Sequence, residues 1–384
     1  MIDSMILAEG GLRAFEQGLQ TIAHNTANMN TPGFKGANAQ FGQLVDGDGQ
    51  GGARGGGVQM QGTRIDFAQG QFKSTGNDLD LALDGDGLFT LRGDDGRLRY
   101  TRAGDFRFDT EGVLKSTSGK QVLGIGSDGA PGAISIAAAR TSAARATSQI
   151  VLSGNLSSEA ATHTVGGLEV HDAAGTVHML SARFDAVTDG ANQWTVTLLD
   201  GTTTVGTGTL AFVDGRPDAA QSNLAFKYTP AGQSPVAFAL DFSADVTSTG
   251  GGDTSTLAMA SQDGWGPGSL VKATFDAAGV LVTTYSNGQT VRGARLALAH
   301  FTSPDAVEAA GDNEFAAVDA RGWVSGSAGE GGFGSVRAGS IEGSNVDLSQ
   351  QFSQLVVMQR GYQASSQIFA TAGEMLDALF AMKK

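Results

Sequence analysis

The 384-residue sequence contains no cysteine and only 7 prolines. Disulfides, thiolate metal sites and cysteine nucleophiles are therefore excluded. No run of 18 apolar residues occurs, so the sequence predicts no membrane-spanning helix. Basic residues are also scarce, because 25 Lys and Arg stand against 39 Asp and Glu, which gives a net charge of −14. This charge argues against a nucleic-acid or anionic-membrane partner.

The first residues do not have the composition of a secretory signal peptide. Asp3 and Glu9 stand where a basic segment would be needed, and the apolar residues nearby are periodic, not contiguous. The sequence thus predicts either a cytoplasmic protein or export by a route that cleaves nothing.

Patterns that carry catalysis or cofactor binding are weak. Gly329-x-Gly331-x-x-Gly334 fits a dinucleotide-binding spacing, but no amphipathic helix follows it. The acidic residues Asp78, Asp80, Asp84 and Asp86 lack EF-hand spacing, and hairpin turns explain them better. The five histidines are dispersed and form no metal or catalytic motif. We predict no catalytic residue, no cofactor, no metal and no enzymatic activity.

Glycine is abundant, with 57 residues against 20 Phe, 4 Tyr and 3 Trp. Many Asp-Gly and Asn-Gly pairs separate short stretches of β-branched and aromatic residues, as in antiparallel hairpins. One predicted hairpin runs from Val280 to Tyr285, turns at Asn287-Gly288 and returns to Leu298. Another runs from Gln193 to Leu199, turns at Asp200-Gly201 and returns towards Phe212. The middle of the chain is therefore predicted to form sandwich-like or barrel-like β domains.

The two ends of the chain carry heptad-like apolar repeats. A spacing that averages 3.5 residues places a narrow apolar seam on one side of a helix, and such a seam needs a partner helix. We predict that the two terminal helices pair as a coiled coil and that neighbouring copies add further partners. The residues predicted to form this assembly interface are Met5, Leu12, Phe15, Leu19, Ile22, Met29, Leu348, Phe352, Leu355, Tyr362, Phe369 and Leu376.

The predicted fold is mixed and mainly β, with discontinuous β-rich domains between N- and C-terminal helices. A helical domain comprises residues 1–30 and 345–384, because Asn30-Thr31-Pro32-Gly33 ends the first helix. A Gly-rich connector spans 31–70, and its centre at 47–57 is nearly structureless by composition. A discontinuous β domain comprises 71–144 and 265–344, and an inserted outer β domain spans 145–264.

Three ordered motifs resemble those of the bacterial flagellar rod and hook axial proteins. The first runs from His24 to Lys35, and the last runs from Glu342 to Ser349 and continues through Met358–Ala364. Between them, Asp80–Phe89 and Tyr100–Phe106 are similar to the β domain that the family shares. The family-motif residues are Asn25, Asn28, Thr31, Gly33, Phe34, Lys35, Ser344, Asn345, Val346, Asp347, Leu348, Gln359, Arg360 and Tyr362.

Family members differ mainly in the middle, and Phe184–Leu199, with Trp194, resembles the β domain inserted in hook subunits. The resemblance implies a subunit that self-assembles into a curved, flexible tube and transmits torque from rod to filament. It also implies location in the bacterial flagellum outside the cell, after type III export without cleavage. Implied partners are further copies of the chain and the rod, hook-cap and hook–filament junction proteins. A distal rod subunit, and a secreted β-rich adhesin or binding module, remain as alternatives.

Overall fold

The computed structural model describes residues 2–48, 52–126, 129–188, 192–303 and 306–382, with the backbone alone at 45–48, 52–56 and 320. The chain divides into two compact units. The first comprises Met1–Ala137, Ala273–Thr283 and Val291–Lys384, and the second comprises Ala138–Lys272 and Thr284–Thr290. The predicted insert at 145–264 lies within the second unit.

The chain begins with a helix, α1 (Ile2–Ala27), and strands follow it through the rest of the first unit's N-terminal part. These strands are β1 (Ala37–Asp48), β2 (Gly52–Ile65), β3 (Phe72–Ser74), β4 (Leu81–Asp84), β5 (Leu88–Arg92), β6 (Leu98–Thr101), β7 (Arg107–Phe108), β8 (Leu114–Lys115), β9 (Gln121–Ile125) and β10 (Pro131–Ala133). The second unit then supplies β11 (Thr141–Ser142), β12 (Gln149–Asn155), β13 (Thr162–His171), β14 (Val177–Ala186), β15 (Gln193–Asp200), β16 (Thr203–Val213), β17 (Arg216–Pro217), β18 (Asn223–Tyr228), β19 (Val236–Thr247) and β20 (Ala258–Gln262).

The rest of the chain completes the β structure and ends in a second helix. Its elements are β21 (Gly268–Phe275), β22 (Val280–Tyr285), β23 (Thr290–Phe301), β24 (Val307–Gly311), β25 (Glu314–Ala317), a 3-10 turn (Ala320–Gly322), β26 (Trp323–Ser327), β27 (Ser335–Ala338), β28 (Ser340–Glu342) and α2 (Leu348–Met382). The predicted class, mainly β with paired terminal helices, is confirmed.

The two helices pair in antiparallel fashion along most of α1. Gly11 faces Ser365, Phe15 faces Gly361, and Gly18 faces Met358. At the far end, Nδ2 of Asn25 donates to Oε1 of Gln351 at 3.1 Å. Four of the six buried positions of α1 are glycine or alanine, namely Ala8, Gly11, Ala14 and Gly18, and the other two are Ile22 and Asn25. Small residues let the backbones approach closely, so this line carries the contact, flanked by the larger side chains of the predicted seam.

The predicted Gly-rich connector contains a long β-hairpin. β1 and β2 pair from Ala37↔Ile65 to Asp48↔Gly52, with register shifts after Gln40 and Leu44. The expectation that 47–57 lacks structure is wrong for 47–48 and 52–57, while 49–51 lie outside the described residues. The hairpin lies along α1, because Phe41 packs against Phe15 with ring centroids 6.2 Å apart. Contacts with α1 thus order a segment whose composition alone predicts no structure.

The β domain of the first unit is built around a sheet in which β9, β5, β6, β25 and β24 lie side by side. β23 pairs with β9, β5 and β26, so strands from both ends of the chain complete one sheet. Its core holds Leu81, Phe89, Phe106, Leu114 and Leu298, all nearly inaccessible to solvent. The motif stretches Asp80–Phe89 and Tyr100–Phe106 therefore supply this core.

The second unit is a β-sandwich. A five-stranded sheet orders β13-β14-β15-β16-β17, and a four-stranded sheet orders β18-β19-β12-β20. Alternate residues point inward, and Trp194, Phe184 and Phe242 are fully buried in one core. Both predicted hairpins are confirmed, because β15 pairs with β16 across the turn at 200–203 and β22 and β23 flank Asn287-Gly288.

Candidate assembly interface and its anchoring junction

Two apolar stripes flank the line along which α2 contacts α1. Stripe A consists of Val357, Ile368, Met375 and Leu379, and stripe B consists of Tyr362, Phe369 and Phe380. Residues separated by 4, 7 or 11 positions share one side of a helix, so each set is continuous. In stripe A the side chains are 48% to 62% exposed. Because α2 exposes apolar side chains on both sides of its contact with α1, further helices could pack against it on either side of α1.

The start of α1 also presents apolar surface. Ile2 and Ile6 are exposed by 64% and 60%, and Leu7 is also exposed. Scattered apolar residues are normal on a surface. Together with stripes A and B, however, these three residues make the helix pair the largest concentration of exposed apolar side chains among the described residues.

The predicted interface residues divide between covered and exposed positions. Ile22 is buried, and Met5, Leu12, Phe15, Leu19, Leu348, Leu355 and Leu376 are partly buried. Met29, Phe352, Tyr362 and Phe369 are exposed. A strict seven-residue repeat drifts around a straight helix, so the members of the series on α2 differ in how far α1 covers them. Formation of an intermolecular interface by these residues stays a prediction.

A second concentration of residues from the quoted motifs lies where the helices join the β domain, at Glu342. One carboxylate oxygen of Glu342 accepts from Nζ of Lys35 at 2.6 Å and from the amide of Gly70 at 2.8 Å. The other accepts from a guanidinium nitrogen of Arg102 at 3.0 Å. Both Lys35 and Glu342 side chains are fully buried, and that of Arg102 is 5% exposed. We call these three side chains the junction cluster.

The junction cluster buries two cations with a single carboxylate. Burial lowers the pKa of Lys35, although the neighbouring Glu342 carboxylate acts in the opposite direction. Backbone carbonyls share the excess positive charge: Lys35 also donates to Ala68 at 2.7 Å, and Arg102 donates to Gly85 at 2.7 Å. Nε of Arg102 is buried without a hydrogen-bond partner. The cluster is thus an extensively bonded structural site, in which Glu342 supplies the one negative charge.

The remaining motif residues fix the backbone around this cluster. Gly33 has φ +66°, and a side chain there would overlap the backbone of Arg102 and Ala103. Its amide donates to the backbone carbonyl of Glu342 at 2.7 Å. Phe34 is buried and packs edge-on against His24 with centroids 5.5 Å apart. At position 33, only glycine accommodates both the left-handed backbone and the close approach of the Arg102–Ala103 backbone.

Two motif asparagines connect the helices with the hairpin. Oδ1 of Asn25 accepts from the amide of Ala37 at 2.9 Å, and its Nδ2 donates to the Ala37 carbonyl at 2.8 Å. Oδ1 of Asn345 accepts from the amide of Gly36 at 2.8 Å, and its Nδ2 donates to the backbone carbonyl of Asp66 at 2.7 Å. Each amide side chain uses both its donor and its acceptor, which explains the choice of asparagine.

Other motif residues shape the helix ends. Oδ1 of Asp347 accepts from the amides of Ser349 and Gln350 at 2.8 and 3.2 Å, which caps α2. After α1, the Thr31 hydroxyl donates to Oδ1 of Asn28 at 3.1 Å. Ser344 accepts from the amide of Val346 at 3.3 Å. By contrast, Gln359 and Arg360 are exposed on α2.

Sequence reasoning missed several residues of this site. Arg102 and Glu342 stand inside the quoted motifs, but nothing in their local sequence shows that they meet across 240 positions. Stripe A was missed because its spacing follows 4, 7 and 11 residues and not a strict heptad. A search for 11-residue spacing would have found it.

An open cleft of about 1140 Å³ is lined by α1, the hairpin and β24–β25. Its lining is rich in amides and hydroxyls and also contains His24 and five charged residues, of which Lys35 and Glu314 pair with Glu342 and Lys120. Among the described residues, no group of three or more metal-ligating side chains occurs, and no helix is long and apolar enough to cross a membrane.

Comparison with known proteins places the chain among the axial proteins of the bacterial flagellum. Three family models match along the chain: "Flagella basal body rod protein" at 5–35, "Flagellar hook protein FlgE/F/G D1 domain" at 82–157, and "Flagellar basal body rod FlgEFG protein C-terminal" at 337–382.

Curated relatives extend the match to nearly the whole chain. The chain is 31% identical to the flagellar hook protein FlgE of Escherichia coli K12, covering 97% of this chain and 98% of the relative. It is also 31% identical to FlgE of Rhizobium meliloti, with 97% of each chain covered. The chain therefore belongs to the flagellar hook protein FlgE family.

A solved structure supports the fold. The crystal structure of Helicobacter pylori flagellar hook protein FlgE2 matches with a TM-score of 0.53 and 13% identity, covering 69% of this chain and 99% of that one. The inferred hook resemblance is thus confirmed at the level of family, and the fold of a hook protein is shared.

Proposed function

We propose that this chain polymerises into the flagellar hook through its terminal helices, with stripes A and B covered by helices of neighbouring subunits. Membership of the hook family supports a structural subunit of the flagellum. The exposed apolar side chains on both sides of the α1 contact are the observation that carries the proposal. Covering the exposed half of one such side chain contributes about 1 kcal/mol, and this contribution repeats at every subunit.

The interface residues predicted from sequence have their place in this proposal. Tyr362 and Phe369 belong to stripe B, and Phe352 lies exposed near the start of α2. Leu12, Phe15 and Leu355, which are partly buried within the helix pair, would position α2 for these contacts. Contact between different patches of successive copies is heterologous, and it builds an open helical polymer when the rotation does not close a ring.

The partners and the location follow from the same proposal. The subunit would contact the rod at one end of the polymer and junction proteins at the other, with a hook cap present during growth. Export through the flagellar type III apparatus without cleavage would place it outside the cell. The sandwich formed by the second unit would be the outer domain of the tube. Its role is structural and not catalytic.

Electron microscopy of purified protein tests the proposal. We expect short curved tubes under assembly conditions, whereas deletion of residues 1–30 should leave only monomers. Straight tubes would instead favour a distal rod subunit. A binding module would keep a binding activity after the deletion, and wild-type protein that stays monomeric under all assembly conditions would reject the proposed polymer.

A further inference from the structure

The connections between the helix pair and the β domain converge on one residue. The chain passes between them at 28–36, after α1, and at 343–347, before α2, while the hairpin returns at 66–71. Glu342 contacts the first passage through Lys35 and the hairpin return through Gly70. It immediately precedes the second passage, and it contacts the β domain through Arg102.

Further hydrogen bonds tie the passages to one another, and a few uncharged ones reach the β domain: Nδ2 of Asn313 donates to the Pro32 carbonyl at 2.7 Å, and the Gln69 side chain donates to the Leu83 carbonyl at 2.6 Å. The backbone N–H of Asn345 donates to the Phe34 carbonyl at 3.3 Å, and the backbone N–H of Gly343 donates to the Gln71 carbonyl at 2.8 Å. The backbone N–H of Asp66 donates to the Gly36 carbonyl at 2.8 Å. These hydrogen bonds join the three passages into one connected layer of backbone. The fork of Arg102, which bonds Glu342, Leu83 and Gly85, attaches that layer to β4 and the turn after it.

We infer that the Arg102–Glu342 pair fixes the angle between the helix pair and the β domain, and that it thereby sets the shape of the assembled tube. Glu342 is in this sense a positioning residue. The inference rests on the proposed polymer, because the angle matters only if helices and β domain occupy different layers of a tube. Load applied to the helices then reaches the β domain through a buried ion pair, which solvent does not screen.

The sharpest variant is Arg102→Gln, because it removes the charged contact between Glu342 and the β domain and leaves a neutral Lys35–Glu342 pair. Arg102→Lys restores the charge and one donor to Glu342. Arg295→Gln is the matched control, since Arg295 pairs with exposed Glu330 in the same β domain at 2.6 Å. Tube curvature and helical repeat are measured by electron microscopy for each full-length variant. Amide hydrogen exchange of the unassembled subunit is measured at Gly33 and Gly70.

For Arg102→Gln we expect tubes whose curvature or helical repeat differs from wild type, with exchange at Gly70 faster by roughly tenfold. Arg102→Lys should restore the wild-type shape, and Arg295→Gln should not alter it. Arg102→Gln tubes of wild-type shape would overturn the inference, even if the subunit melts at a lower temperature. If Arg102→Gln does not fold, Arg102→Lys decides: an altered tube shape shows that the ion pair is not the coupling. Failure of wild-type protein to polymerise would reject the proposed function instead.

Discussion

The junction cluster and the outer faces of the helix pair differ in how completely one subunit satisfies them. At the junction, the Glu342 carboxylate accepts three hydrogen bonds inside the same chain. On α2, Ile368 and Leu379 remain about half exposed. Buried polar groups are costly unless the folded subunit itself supplies hydrogen-bond partners, whereas apolar surface can stay exposed until a second copy covers it. Folding and assembly therefore depend on separate residues, and substitutions can tell them apart.

The largest expected effect is at the junction. Glu342→Gln leaves two buried cations without a carboxylate and should lower the free energy of unfolding by about 3–5 kcal/mol. Lys35→Met leaves a neutral Arg102–Glu342 pair and should cost clearly less, because Asn345 still donates to the Ala68 carbonyl that Lys35 loses. Urea denaturation of the two variants measures the difference. Equal losses would show that charge balance does not govern this cluster.

The next effect concerns assembly and should leave the subunit's stability nearly unchanged. Ile368→Ser and Val357→Thr in stripe A exchange residues of similar helix propensity, so unfolding should shift by no more than ~0.5 kcal/mol. Each should nevertheless weaken polymerisation by about 1 kcal/mol per contact, because about half of the side chain remains to be buried, and this raises the critical concentration about fivefold. Gln363→Ser on the exposed polar face is the control. Wild-type polymerisation of both stripe variants would remove stripe A from the interface.

A smaller effect distinguishes two glycines of α2. A methyl group at Gly361 would lie 2.5 Å from Cζ of Phe15, whereas nothing lies within 4 Å of one at Gly373. Gly373→Ala should stabilise the subunit by up to ~1 kcal/mol through helix propensity. Gly361→Ala should destabilise it by about 1–2 kcal/mol, because the ring must move. Thermal melting of both variants tests this, and stabilisation by Gly361→Ala would contradict the close helix contact.

The smallest effect is a loss of stability in alkali. Burial raises the pKa of Tyr100 to about 12. The unfolded chain releases this proton near pH 10, so between pH 10 and 12 the native state binds more protons and stability falls as pH rises. The loss should be on the order of 1 kcal/mol within the first pH unit above 10. Tyr100→Phe should flatten this decline relative to wild type, and an unchanged decline would assign it to other groups.

Local patterns predicted much of the fold. Asn-Gly and Asp-Gly pairs need only their own backbone preference to form turns, so β15–β16 and β22–β23 were placed correctly. The terminal helices followed from apolar periodicity. The hairpin at 37–65 was not predictable in this way, because its glycines carry no pattern and its order depends on packing against α1 at Phe15 and Leu7.

The sequence by itself determined the terminal helices, the two hairpins at Asp200-Gly201 and Asn287-Gly288, the family and the absence of cysteine chemistry, because turn residues, helical periodicity and contiguous motifs all act locally. Only the tertiary structure decided which side chains each helix buries and which it leaves exposed. It alone brought Lys35, Arg102 and Glu342 together, since a buried ion pair depends on distances between segments hundreds of residues apart. Contacts of that range arise from packing, and no local spacing records them.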